Sequence, residues 1–372
     1  NPNAVSTSGT YYIQAGTAAG CSVIEPVVVI INPSPVLVIT DPPAVCSPST
    51  VDITAAAVTA GSTLPAGTTL TYWEDAGATT AVVDPTAITV SGTYYILAET
   101  AEGCSDIEAV NVVINDTPIL VINDPDAVCS PATVDLTAPE VTAGSTLFGA
   151  ALTYWEDPGA TVALVNPNAV STSGTYYIQA GTAAGCSVIE PVVVIINPSP
   201  VLVITDPPAV CSPSTVDITA ASVTAGSTLP VGTTLTYWED AGATVAVADP
   251  TAIAVSGIYY ILAETVEGCS DIEAVIVTIN PTPTPTIVGV DIVCEGDTEA
   301  YEVTLNVGNT YNWTVVGGTI DSGQGTNQIF VIWDTPGPGS VQVEETAGLC
   351  SDIDTISVTV NPLPTTSDIY HN

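Results

Sequence analysis

Apolar and polar positions along the chain alternate in short runs with a period of two. Residues 70–74 (LTYWE), 87–90 (AITV), 93–99 (TYYILAE) and 107–115 (IEAVNVVIN) are rich in Val, Ile, Thr and Tyr and are separated by Gly, Pro, Asp and Ser. That pattern predicts strands. No 11-residue window carries a convincing helical period. Several short strands in about 80 residues, with turn signals every 8 to 12, predict an all-β antiparallel sandwich of immunoglobulin type. On such strands the tyrosine pairs Tyr11 and Tyr12, Tyr94 and Tyr95, Tyr176 and Tyr177, and Tyr259 and Tyr260 each send one ring inward and the next outward.

The pattern is also repeated. Residues 1–56 recur without change as 166–221, an offset of 165, and half that offset is a second, looser repeat. The unit is therefore 82 or 83 residues. Its boundaries fall at proline-rich junctions, 31–35, 114–118, 196–200, 279–285 and 360–364, where X-Pro sequences favour stiff, extended connections. The chain divides into a partial unit (1–33), three close copies (34–117, 118–199, 200–282), a diverged unit (283–364) and a tail (365–372). Tandem sandwiches joined this way are expected to form an extended rod. The start in mid-unit reads as a segment of something longer.

Each unit is small enough that a covalent staple would help its core. Two cysteines recur per unit, with spacings alternating between 25 and 56–58. Pairing within units gives Cys46 with Cys104, Cys129 with Cys186, Cys211 with Cys269 and Cys294 with Cys350, leaving Cys21 unpaired. Pairing across junctions gives Cys21 with Cys46 and so on, leaving Cys350 alone. The first scheme is favoured, because closing a loop of that length inside one fold removes on the order of 4 kcal/mol of unfolded-chain freedom. Either scheme implies an oxidising compartment.

Composition narrows the functions. The chain has 39 acidic residues, no Lys or Arg and one His, for a net charge of −39. Without basic residues it lacks the contacts that bind nucleic-acid phosphates or anionic lipid, and it has no P-loop or Schiff-base lysine. No CxxC pair or histidine cluster suggests zinc. The longest apolar stretch, 27–40, is interrupted by Asn32, Pro33, Ser34 and Pro35, well short of the ~18 residues of a membrane helix. No signal peptide is evident at the start. The acids recur in every unit, which does not suit a single catalytic carboxylate pair. His371 has no repeated nucleophile to serve, and the glycine-rich 317–325 lacks the helix and lysine of a phosphate loop. Trp73, Trp155 and Trp238, in TYWED, are expected to fill the core together with Tyr95, Tyr177 and Tyr260, with glycan stacking as the alternative role. Asp41, Asp124, Asp126 and Asp206, near the junctions, are candidate calcium ligands, although no DxDxDG loop is present.

The segments carried by 46–54, 59–79 and 91–106 (CSPSTVDIT, TAGSTLPAGTTLTYWEDAGAT, SGTYYILAETAEGCSD) and their copies resemble repeats of the giant SprB-like gliding-motility adhesins of Bacteroidota. Residues 283–364, with VCEGDTEAY, YNWTVVGGTI and LCSD, look like a PKD-type immunoglobulin-like module, and the closing 366–372 is similar to segments that follow such modules. The resemblance implies export by type IX secretion, display on the outer cell surface, and attachment and gliding, with a surface polysaccharide or other target and the gliding machinery as partners. It implies a structural filament without enzymatic activity or an obligatory cofactor. A multivalent carbohydrate-binding protein and a self-assembling sheath are the alternatives.

Overall fold

The computed structural model describes residues 4–364; the tail similarity at 366–372 and His371 lie outside the described residues. The protein is all-β, a tandem series of immunoglobulin-like β-sandwich domains. One 3-10 turn, Pro139–Thr142, is the single helical element among the described residues. No helix there is long and apolar enough to cross a membrane, which says nothing of a β-barrel. The chain forms two compact units, one of residues up to 128 with 132–196, the other of 129–131 with 197 onward.

The first unit opens on a hairpin, Gly9–Gly16 with Ser22–Val29. The repeat at 34–117 then builds a three-stranded antiparallel sheet from Thr69–Trp73, Gly92–Glu99 and Ser105–Val112. A short parallel pair, Val45–Cys46 with Ile114–Asn115, joins its early and late segments. Alternation decides which face is buried: Ile96, Ala98, Val110 and Val112 point inward and meet Leu37, Val51, Ile53, Val58 and Ile88. The AITV segment at 87–90 is not a strand. Ile88 makes a single bridge to Val51, because Asp52 and Asp84 each accept the amide two residues on, from Thr54 at 2.8 Å and Thr86 at 3.1 Å, and turn the chain away. The repeat at 118–199 has the same sheet, Ala151–Trp155, Gly174–Gly181 and Ser187–Val194, over a core that includes Leu136, Ile178 and Val192.

In the second unit the repeat at 200–282 repeats this sheet with Thr234–Trp238, Gly257–Glu264 and Ser270–Val277 over Ile218, Ile261 and Val275. The diverged domain is a fuller sandwich. A four-stranded sheet (Ile292–Cys294, Cys350–Asn361, Gly337–Ala347, Thr310–Val316) packs with a three-stranded one (Thr298–Glu302, Gln328–Ile332, Thr319–Ser322). Here aromatics do fill the core: Tyr301, Trp313 and Trp333 are buried, and Tyr301 meets Trp333 edge-on at 6.0 Å. Gly289 is required beside them, since a Cβ there would lie 2.2 Å from the Tyr301 ring.

Candidate functional site: the repeat junctions

The disulfides follow neither pairing expected from the spacings. Cys46 bonds Cys186, Cys129 bonds Cys269 and Cys211 bonds Cys350, each with Cα atoms 5.6 Å apart. Every bond joins the early cysteine of one repeat to the late cysteine of the next. Cys104 and Cys294, expected to be bonded, are free thiols, as is Cys21.

Strand geometry explains the observed pairing. Cys104 ends the hairpin turn that joins Glu99 to Ser105. Cys46 pairs with Asn115, beyond Val112 at the other end of that hairpin. The two ends of an eight-residue strand lie about 25 Å apart, whereas bonded Cα atoms must lie within ~7 Å. The two cysteines of a repeat therefore occupy opposite poles. The cross-junction scheme fails likewise, because Cys21 also sits in a hairpin turn, between Gly16 and Ser22.

Each pole is built by local hydrogen bonding. At the first junction the Ser47 amide donates to the Asn115 carbonyl at 2.9 Å, and the Thr117 amide donates to Ser47 Oγ at 3.1 Å while its hydroxyl donates to the Ser47 carbonyl. The opposing turn is shaped by Gly185 at φ +86, a conformation glycine adopts without Cβ strain. Thr182 Oγ1 there accepts the Cys186 amide at 3.1 Å, and Cys186 Sγ rests 4.0 Å from the Asn115 carbonyl oxygen. The serine side of this set recurs at the other junctions. Ser130 donates to Asn197 and Ser212 to Asn280, both at 2.9 Å, and the amides of Ser199 and Thr282 donate to Ser130 and Ser212 Oγ at 3.0 Å. A second tie closes some repeats, where Asp106 and Asp271 accept the amides of Leu37 and Leu202 at 2.7 Å.

The TYWED tryptophans are not core residues. Leu70 and Tyr72 take the inward positions, so Trp73 faces out, half-buried, beside its register partner Tyr95. Its indole donates to Thr71 Oγ1 at 2.8 Å. Trp155 with Tyr177 and Trp238 with Tyr260 repeat the arrangement. The aspartate of the motif organises a turn: Asp75 accepts the amides of Gly77, Thr79 and Thr80 and the Thr79 hydroxyl, at 2.8–3.2 Å. These bonds, that from Thr80 foremost, hold its pKa below 3.8, and Asp157 and Asp240 are lowered in the same way.

Of the candidate calcium ligands, Asp41 accepts the Asn111 amide and side-chain N–H, and Asp124 and Asp206 accept the amides of Val193 and Ile276 at 2.8 Å. Asp126 is exposed. Among the described residues, no three His, Cys, Asp or Glu side chains gather as a metal cage.

A chain of β-sandwiches bolted at successive junctions is the class of protein these features define. Within it, residues 280–360 match the family model of a PKD-like domain. No curated protein matches the chain. Among solved structures, the N-terminal eight Ig domains of Down syndrome cell adhesion molecule are similar over 95% of this chain and 51% of that one, at 13% identity and TM-score 0.34. The present chain thus spans about half of that structure's length. The insect immune protein hemolin is similar over 89% of this chain and 100% of that one, at 11% identity and TM-score 0.25. Extracellular domains 3–5 of Drosophila OTK give 66% and 97%, at 13% identity and TM-score 0.27.

Proposed function

We propose that the chain is a stalk segment of a secreted cell-surface adhesin, in which immunoglobulin-like repeats transmit tension between an anchor and an adhesive end. The observation that carries this reading is that all three disulfides join consecutive repeats. Tension reaching Cys46 crosses to Cys186, follows 25 residues to Cys211 and crosses to Cys350. The remaining residues between Cys46 and Cys350 lie off that covalent path, so a repeat can unfold without lengthening it. The disulfides also support an oxidising, extracellular setting. The sequence resemblance supports surface attachment and gliding, with type IX secretion as the export route, and a structural rather than enzymatic role.

Single-molecule pulling tests the reading. At about 3.4 Å per extended residue, the oxidised path from Cys46 to Cys350 reaches about 100 Å and the reduced chain about 1,000 Å. Reductant is expected to lengthen the maximal extension roughly tenfold; equal lengths with and without reductant would refute the stalk.

Polysaccharide binding is a second reading, favoured by the outward Trp73–Tyr95, Trp155–Tyr177 and Trp238–Tyr260 pairs, since weak repeated sites add through avidity. A glycan that shifts and protects tryptophan fluorescence supports it; unchanged fluorescence across a glycan panel removes it. Calcium at Asp41, Asp124, Asp126 and Asp206 is a separate element of the proposal. It predicts a rise in melting temperature with calcium beyond that given by magnesium at equal ionic strength.

A further inference from the structure

The junction geometry is present at one place where its bond is not made. Cys294 is exposed, yet its backbone reproduces the bonded early cysteines. It pairs in parallel register with Asn361, and the next amide, Glu295, donates to the Asn361 carbonyl at 2.9 Å. Cys46 with Asn115 and Ser47 are held in the same way. The complementary half is exposed too. Cys21 sits in a hairpin turn in which the Thr17 amide donates to the Cys21 carbonyl, as the Thr182 amide does to that of Cys186. A turn cysteine also occupies this position at a junction without a bond. Cys104, still a thiol, rests 4.0 Å from the Asn32 carbonyl, as bonded Cys186 rests on Asn115.

We propose that Cys294 is a built acceptor for the hairpin-turn cysteine of another repeat of this same kind, and that Cys21 is the turn cysteine this chain offers in return. The three internal bonds are then rungs of a ladder that continues head to tail. Closing a rung forms one S–S bond from two thiols. Their two protons and two electrons pass to a disulfide oxidant such as oxidised glutathione, which is released as two thiols. The inference stands on the disulfide register, not on the adhesion reading, so the two fail separately.

The test is to incubate the purified chain with a glutathione redox couple and to map the products by non-reducing electrophoresis and mass spectrometry. An Asp/Glu-specific protease is needed, because trypsin has no site in the sequence. The expected result is a series of multimers joined by Cys294–Cys21 peptides, lost in Cys294→Ser and in Cys21→Ser and kept in Cys104→Ser, with the three internal bonds intact in each variant. A further copy joined as a stand-alone repeat carrying the GCS turn should be captured through Cys294 alone, which separates an in-line neighbour from a second whole chain as source. Persistent monomer, or Cys21–Cys21 and Cys294–Cys294 dimers in proportion to mixed ones, would overturn the proposal, since the latter reflects exposed thiols without a built site.

Discussion

Asp75 shows how single residues hold a protein that has no cations to pair with its acids. Three amides and a hydroxyl converge on its carboxylate, and the turn they close contains Ala78 at φ +49, a conformation that costs a Cβ-bearing residue energy. Because the folded pKa is depressed below 3.8, this contribution is present above the unfolded pKa and is lost as pH falls through the folded value. Asp75→Asn should therefore be less stable than the parent at neutral pH, with the gap closing below about pH 3.8; denaturant melts across pH read it, and a gap independent of pH would contradict the assignment. Buried Glu345 uses a different device, accepting side-chain N–H bonds from Asn306 at 2.8 Å and Asn309 at 2.7 Å. Asn309→Ala removes one donor from a buried carboxylate and should destabilise the diverged domain by about 1–3 kcal/mol in calorimetry. In the same domain burial pushes the Tyr301 phenol up to about 12. Its stabilising effect is complete below the ordinary tyrosine value and is lost as pH rises through that higher one, so its phenolate absorbance should appear only with alkaline unfolding.

Among the elements, the hairpin whose tip carries the late cysteine decides the covalent architecture. The strands at 93–99 and 107–115 were legible because their alternation matches the pleat, and the tandem units because the sequence is copied. The inward Tyr72 and outward Trp73 were legible in principle from the same period of two, but a large aromatic beside a tyrosine does not reveal which of them faces the core. The disulfide partners are not legible in the cysteine spacing, because spacing along the chain carries no direction along the strand. The GCS cysteine stands at a hairpin tip, one strand length before the next junction, and so faces the junction behind it. The VCSP cysteine stands one traverse after a junction and faces the junction ahead. Ile88 shows the opposite limit: one inward side chain in AITV suffices for the core, and flanking aspartate turns stop the ladder at a single bridge. These elements make separable predictions. Ile96→Ala, at a position with no exposed surface, should cost about 2–5 kcal/mol, read from denaturant melts of the reduced protein. Cys186→Ser should lose on the order of 5 kcal/mol of cross-link stabilisation for a separation of 140 residues, whereas Cys104→Ser, which breaks no bond, should melt like the parent.

For the molecule as a whole, the absence of Lys and Arg makes the response to salt one-signed. In most proteins added salt screens attraction between opposite charges as well as repulsion between like ones, and the net effect is small. Here the sequence holds 39 acidic residues, no Lys or Arg and one His, so screening has repulsion to remove and almost no ion pair to weaken. Folding gathers these charges into a smaller volume, which makes the repulsion greater in the folded state than in the unfolded chain. Raising monovalent salt from 0.01 to 0.15 M shortens the screening length from about 30 to about 8 Å, and should raise the melting temperature monotonically at pH 7. Near pH 4 many carboxylates are protonated, so the same addition should do much less. The disulfides sharpen the contrast, because reduction lets the unfolded chain expand further and relieve its own repulsion. The salt-induced rise should accordingly be larger for the reduced protein than for the oxidised one. A melting temperature that falls with salt at pH 7, or rises equally at pH 4, would show that self-repulsion does not limit the stability of this chain.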